Sequence, residues 1–180
     1  MKRELSQIIE VPEGIEADIQ GNSVIVKGKE GTNERKFDLA NLNLEKKGNE
    51  IIIGNKKSSK KEKRRMNTIA AHIRNMINGV QKVFEYKLKI CFSHFPITVE
   101  VKENEALIKN FLGERTPRKA KIPKGAEVKV DKDIVTVTAR DIETAGQTAA
   151  NFETATRIVN RDRRVFQDGI FITSKCGEEI

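Results

Sequence analysis

The sequence has no tryptophan, a single tyrosine and only 5% aromatic residues, so no stretch of it carries the aromatic motif on which single-strand RNA readers stack bases. Two histidines and two cysteines in 180 residues leave no ligand cluster for a metal. Cys91 and Cys176 lie 85 residues apart without a C-x-x-C pair, the pattern of free thiols in a reducing cytosol that pack as small hydrophobes. No segment approaches the roughly 18 consecutive apolar residues of a membrane span. The opening MKRELSQIIEVPEG is basic but has no apolar h-region, so neither a secretory signal nor a membrane partner is expected. Catalytic signatures are missing too. GKEGTNERK lacks P-loop spacing, and neither G-x-S-x-G nor H-E-x-x-H occurs. His72, next to an apolar helical stripe, and His94, in a proposed junction, read as structural. A nuclease built on His72 and nearby acids has no other support. No catalytic, metal or cofactor-binding residue and no small-molecule substrate is expected.

What is present is charge. Charged residues make up 33% of the chain, and 34 Lys+Arg against 26 Asp+Glu leave +8, with a pI near 9.5. Such a balance favours an anionic partner, nucleic acid first and a membrane surface second. Apolar residues at 37% suffice for compact cores but are lean for a globular protein.

The chain also repeats itself. IEADIQGNSVIVKGKEG (15–31) overlays ITVEVKENEALIKNFLG (97–113) at an offset of 82, and VFEYKLKI (83–90) overlays VFQDGIFI (165–172) at the same offset. A long period present twice marks a duplicated domain and not a solenoid. In each copy, Ile15/Ala17/Ile19 and Ile97/Val99/Val101 alternate with polar residues as half-buried strands do. Met66, Ile69, Ala70, Ile73, Ile77 and Val80 fall at helical spacing, as do Ala145, Ala149, Phe152, Thr156 and Val159. Ser59-x-x-Glu62 forms a potential capping box, and Asn78-Gly79 a stop. The expected fold is therefore α+β, two tandem duplicated domains, each a small, mostly antiparallel sheet packed on one helix. The first domain would span 1–90 with a helix at about 59–78. CFSHFP (91–96) would be the junction, Pro96 disfavouring helix before it, and 97–180 would be the second domain, with a helix at about 142–159.

Positive charge gathers in three places. The run 56–65 holds Lys56, Lys57, Lys60, Lys61, Lys63, Arg64 and Arg65 against Glu62 alone. Residues 113–121 hold Arg115, Arg118, Lys119 and Lys121 against Glu114, and the third group is Arg157, Arg161, Arg163 and Arg164. A solitary charge run is ordinarily a solvated face. Lysines in the first turn after Ser59, however, oppose the helix dipole by up to ~1 kcal/mol each, a conflict that a bound phosphate would remove. Basic residues without interleaved aromatics suit contacts to phosphates and to double-helical RNA shape. The first half carries 19 basic and 12 acidic residues and the second 15 and 14, which is +7 against +1. Totals thus favour the first half, while patches keep the second in play. The third group is expected at the end of a helix reaching Asn160, with Val165, Ile170 and Ile172 anchoring it. Arg163 is expected to pair with Asp162, and Asp168 to be a turn residue that lets the next strand bend at Gly169.

EYKLKICFSHFPITVEVKENEALIKNFLGER together with RDRRVFQDGIFITSK resembles the universal large-subunit ribosomal protein six family, in its archaeal and eukaryotic branch, where eukaryotes call it protein nine. The likeness runs from EVPEGIEADIQGNSVIVKGKEG to Lys175. Arg161, Arg164, Phe166, Asp168, Gly169, Ile170 and Lys175 match the family's C-terminal motif, while Thr154 stands where Gln is usual and Phe171 where Tyr is usual. The resemblance implies an archaeal source and a non-catalytic, structural constituent of ribosomes in the cytoplasm. It also implies binding to large-subunit ribosomal RNA near the sarcin–ricin loop and stalk base, with neighbouring ribosomal proteins and translation GTPases close by. It adds Lys175 to the RNA-binding candidates and favours the second copy. A free-standing RNA-binding or regulatory module on the same fold is the alternative. It would need a pool of the protein away from large subunits.

Overall fold

In a computed structural model, which describes residues 3–180, the chain divides into two compact units, the first ending at Val83 and the second spanning Phe84–Ile180. The first contains β1 (Arg3–Glu10), β2 (Glu16–Gln20), β3 (Ser23–Gly28), β4 (Gly31–Lys36), β5 (Asn43–Lys47), β6 (Glu50–Ser58) and α1 (Lys60–Gln81). Its described strands form two antiparallel sheets, β1-β6-β5 and β2-β3-β4. Both enclose a core with the buried face of α1, where Ile69, Ile73 and Val80 meet Val24, Val26, Ile51 and Ile53.

The second unit repeats this plan with β7 (Phe84–Cys91), β8 (Thr98–Lys102), β9 (Glu105–Lys109), β10 (Arg118–Lys121), β11 (Ala126–Asp131), β12 (Ile134–Ala139) and α2 (Ile142–Ala155), then adds β13 (Gly169–Lys175) and β14 (Glu178–Glu179). Its sheets are β10-β9-β8 and β11-β12-β7-β13-β14, around Leu88, Ile108, Phe111, Val135, Phe152 and Ile170. The fold is the α+β duplication expected, with two sheets per unit instead of one. The duplication shows in the helix starts. Ser59 caps α1 and Asp141 caps α2, 82 positions apart as in the sequence overlay.

The boundary between the units falls elsewhere than expected. VFEYKLKI looks like the close of the first copy because it matches VFQDGIFI, but the two segments are neighbours in one sheet. Strand β7 pairs with β12 on one side and β13 on the other, with Leu88 opposite both Val135 and Ile172. Tyr86, Leu88 and Ile90 accordingly bury themselves in the second core. Cys91 ends β7, so 92–97 is a loop within the second unit, and the crossing point is Val83–Phe84.

Helix limits also differ. Helix α1 begins with the capping box: the Ser59 N–H donates to Glu62 Oε2 at 2.8 Å and the Lys61 N–H to Ser59 Oγ at 3.3 Å. The Glu62 carboxylate supplies negative charge where the dipole favours it, which offsets part of the conflict raised by Lys60, Lys61 and Lys63. The helix runs through Asn78-Gly79, with Gly79 buried, and ends only where Lys82 becomes extended. Helix α2 stops at Ala155, short of the expected 159. The Thr156 hydroxyl donates to Phe152 O at 3.1 Å and accepts the Ile170 N–H at 3.0 Å, tying the helix end to β13 and sending residues 157–168 out as a loop. Val159 and Val165, expected in an apolar stripe and an anchor, are therefore 66% and 61% exposed. Of the expected anchors, Ile170 is fully buried and Ile172 packs at the core's edge.

Gly28 closes the first unit against the end of α1. A Cβ there would lie 2.8 Å from Val80 Cγ2 and 2.9 Å from the Val80 carbonyl, which also accepts the Glu30 N–H. Because backbone cannot give way as a side-chain tip can, Gly28→Ala is expected to cost about 1–3 kcal/mol, measurable as a lower thermal midpoint.

Candidate nucleic-acid interface

In the first unit the 56–65 run divides between the end of β6 and the start of α1. Lys56, Lys57, Lys60, Lys61, Lys63 and Arg64 are exposed, whereas Arg65 is half-buried and 3.5 Å from Asp38. His72, further along α1, stacks on Phe37 with centroids 6.2 Å apart, in keeping with a structural role.

The other two clusters belong to the second unit, and the fold joins them. Arg118 in β10 donates from Nη1 to the carbonyls of Ala155 at 2.9 Å and Arg157 at 3.2 Å, and from Nε and Nη2 to the Glu114 carboxylate. Its guanidinium also sits 4.2 Å over the buried Phe111 ring. This fork, with Arg161 adding charge nearby, holds the Glu114 carboxyl below its usual range. Arg118 thus acts as a brace between β10 and the start of the arginine loop. Of its cluster, Lys119 pairs with Glu105 at 3.1 Å, while Arg115 and Lys121 are exposed.

The arginine loop is held from below by Asp168. The expectation of a simple turn residue is corrected here, since its side chain is 1% exposed. It accepts the Ser93 N–H at 2.6 Å, the His94 N–H at 3.1 Å and the His94 ring at Nδ1, 2.6 Å away. Burial opposes its ionisation, but these donors and the imidazole outweigh burial and bring the carboxyl from 3.8 down to about 2. His94 is therefore the ring that fastens the 92–97 loop to residue 168. Ser93 Oγ and Asp168 both approach the same His94 nitrogen, so the three form no proton relay of the hydrolase kind.

Above this anchor, the Phe166 ring stacks on His94 at 4.8 Å and carries the Arg161 guanidinium, also at 4.8 Å. A guanidinium laid flat on a ring keeps its N–H edge available for phosphate oxygens. Asp162 pairs with Arg164, at 2.9 Å from Nη2, and not with Arg163 as expected. The reason is local: Asp162 Oδ1 accepts the Arg164 backbone N–H at 3.0 Å, which brings that side chain back over the carboxylate. Arg157 and Arg163 are exposed and have no ion-pair partner among the described residues. Lys175 ends β13, about 20 Å along the strand from Gly169 at ~3.3 Å per residue, and so lies apart from this rim.

What the sequence did not reveal is the aromatic component. Phe92, Phe166 and Phe171, far apart or unpatterned in sequence, line one cleft with Arg157 and Arg163. The contact between 93–94 and 168 bridges some 75 positions, and no local periodicity encodes it.

Comparison with known proteins fits this geometry. The model of the family described as ribosomal protein L6 matches residues 11–83 and 95–169, the two copies. Large ribosomal subunit protein uL6 of Methanobrevibacter smithii is 48% identical over 93% of this chain and 94% of its own length. The uL6 proteins of Ignicoccus hospitalis and Sulfurisphaera tokodaii are 44% and 42% identical, over 93% and 95% of this chain and 93% and 92% of their own. Two matched copies and relatives aligned end to end place this duplicated α+β chain, a structural constituent of the large ribosomal subunit and not an enzyme, in the ribosomal protein L6 family.

Proposed function

We propose that this chain binds large-subunit ribosomal RNA near the sarcin–ricin loop and the stalk base, and so supports the landing site of translation GTPases. The observation that carries the reading is the arginine loop of the second unit. Arg157, Arg161 and Arg163 share one loop, free of carboxylate partners, on a scaffold fixed by buried Asp168 and braced by Arg118. Guanidinium groups held on a rigid base lose little conformational freedom on meeting phosphate, and their planar forks suit two oxygens at once. Arg115 and Lys121 extend the positive surface from β10. Lys56, Lys57, Lys60, Lys61, Lys63 and Arg64 offer a second phosphate-binding surface on the first unit. Arg164, Arg118, Lys119 and Arg65 already have acidic partners and contribute less.

Hydroxyl-radical footprinting of large-subunit RNA with the purified chain tests this. Protection is expected in the sarcin–ricin region, diminished by Arg161/Arg163→Ala. Protection confined to other RNA segments would overturn the location, and no preference over an unrelated duplex would overturn RNA recognition by the free chain.

A further inference from the structure

The cleft beside the arginine loop has a volume of ≈ 830 Å³, within the roughly 300–1,000 Å³ of small-ligand sites. Its walls are aromatic: Phe92 and Phe171 stand 45% and 46% exposed, with Phe166 and Ile158 between them. Three of the chain's eight phenylalanines are thus in one place. The two carboxylates in the lining are engaged with backbone, Glu153 accepting the Ile172 N–H at 2.9 Å and Asp168 the Ser93 and His94 N–H groups. Arg157 and Arg163 then remain as the charged groups without a partner.

Aromatic faces beside unpaired guanidinium groups match a ligand that has both a π-face and a phosphate. We propose that the cleft receives a single unstacked RNA nucleobase, with the adjoining phosphate held by Arg157 and Arg163. The proposal builds on the RNA-binding reading above and adds base stacking to what composition alone presents as pure phosphate contact. Phe171 is set for this role by Gly169. The edge of its ring lies 2.9 Å from where a Gly169 Cβ would be, so the ring rests on bare backbone. The Gln167 carboxamide and Thr154 hydroxyl in the lining supply partners for a base edge.

The test titrates the full chain with AMP, GMP, CMP and UMP, and separately with inorganic phosphate and N-acetylphenylalanine amide. NMR follows the ring resonances of Phe92, Phe166 and Phe171 and the Ile158 methyls. At least one nucleotide is expected to shift all of them while phosphate leaves the rings unmoved. Phe171→Leu, which keeps apolar bulk and so the fold, should lose the shifts. It should also lower affinity for large-subunit RNA about 5- to 150-fold, the loss of one stacked base, with an unchanged salt slope. Rings unmoved by all four nucleotides, shifts reproduced by phosphate, tighter binding of the phenylalanine amide, or wild-type RNA affinity in Phe171→Leu would each overturn the proposal. Nucleotide shifts in a protein that shows no preference for large-subunit RNA would leave the base site standing and sink the functional reading instead.

Discussion

Asp168→Ala is expected to destabilise the second unit by about 3 kcal/mol, since it strands two buried backbone donors at roughly 1–3 kcal/mol each. The donors are the N–H groups of Ser93 and His94, and the same change frees the His94 ring that supports Phe166 and Arg161. Thermal or denaturant unfolding measures the loss. A pH dependence accompanies it. The folded carboxyl ionises at about 2, below its ordinary 3.8, so the unfolded chain takes up the proton first on acidification. The stabilisation is complete above pH ~4, the unfolded value, and is lost as pH falls towards 2. Asp168→Asn should lack that part of the acid slope. A variant as stable as wild type at pH 6 would show that the buried carboxylate does not organise the loop.

Arg161/Arg163/Arg164→Ala is expected to weaken binding to large-subunit RNA about a hundredfold or more, at ~1.5 kcal/mol or above for each of two charge-assisted contacts. The third position should add little, because Arg164 pairs with Asp162. Stability should hardly change, since all three side chains are exposed and only the Phe166 stacking contact is lost. Comparing single variants by filter binding separates these contributions, with Arg164→Ala the mildest.

Much of this fold was legible from residues. Alternation in 15–19 and 97–101, the helical stripe from Met66 to Val80 and the Ser59–Glu62 box all report local physics, and each is where it was expected. The strand at 84–91 was misassigned for a physical reason: in a duplicated chain the strand following α1 resembles the strand following α2, and only pairing tells which sheet takes it. Helix α2 was drawn too long because Val159 continues an apolar spacing, whereas the Thr156 hydroxyl and its bond to Ile170 end the helix through a tertiary contact. The basic clusters were visible as charge. Their division into braces, ion pairs and unpartnered arginines was not, because it depends on which carboxylate or ring the fold brings within reach. The Asp168–His94 anchor and the phenylalanine cleft were hidden for the same reason.

The central claim is that the second unit's arginine loop, more than the lysine run of the first, carries the contact to ribosomal RNA. The most direct measurement is the salt dependence of binding to a large-subunit RNA fragment containing the sarcin–ricin region, for wild type, Arg161/Arg163/Arg164→Ala and Lys60/Lys61/Lys63→Ala. At about 0.9 per phosphate on a duplex, loss of two or three arginine contacts should flatten the log–log slope by roughly two to three, and the lysine variant should change it by less. A slope flattened by the lysine variant alone, with the arginine variant like wild type, would contradict the account.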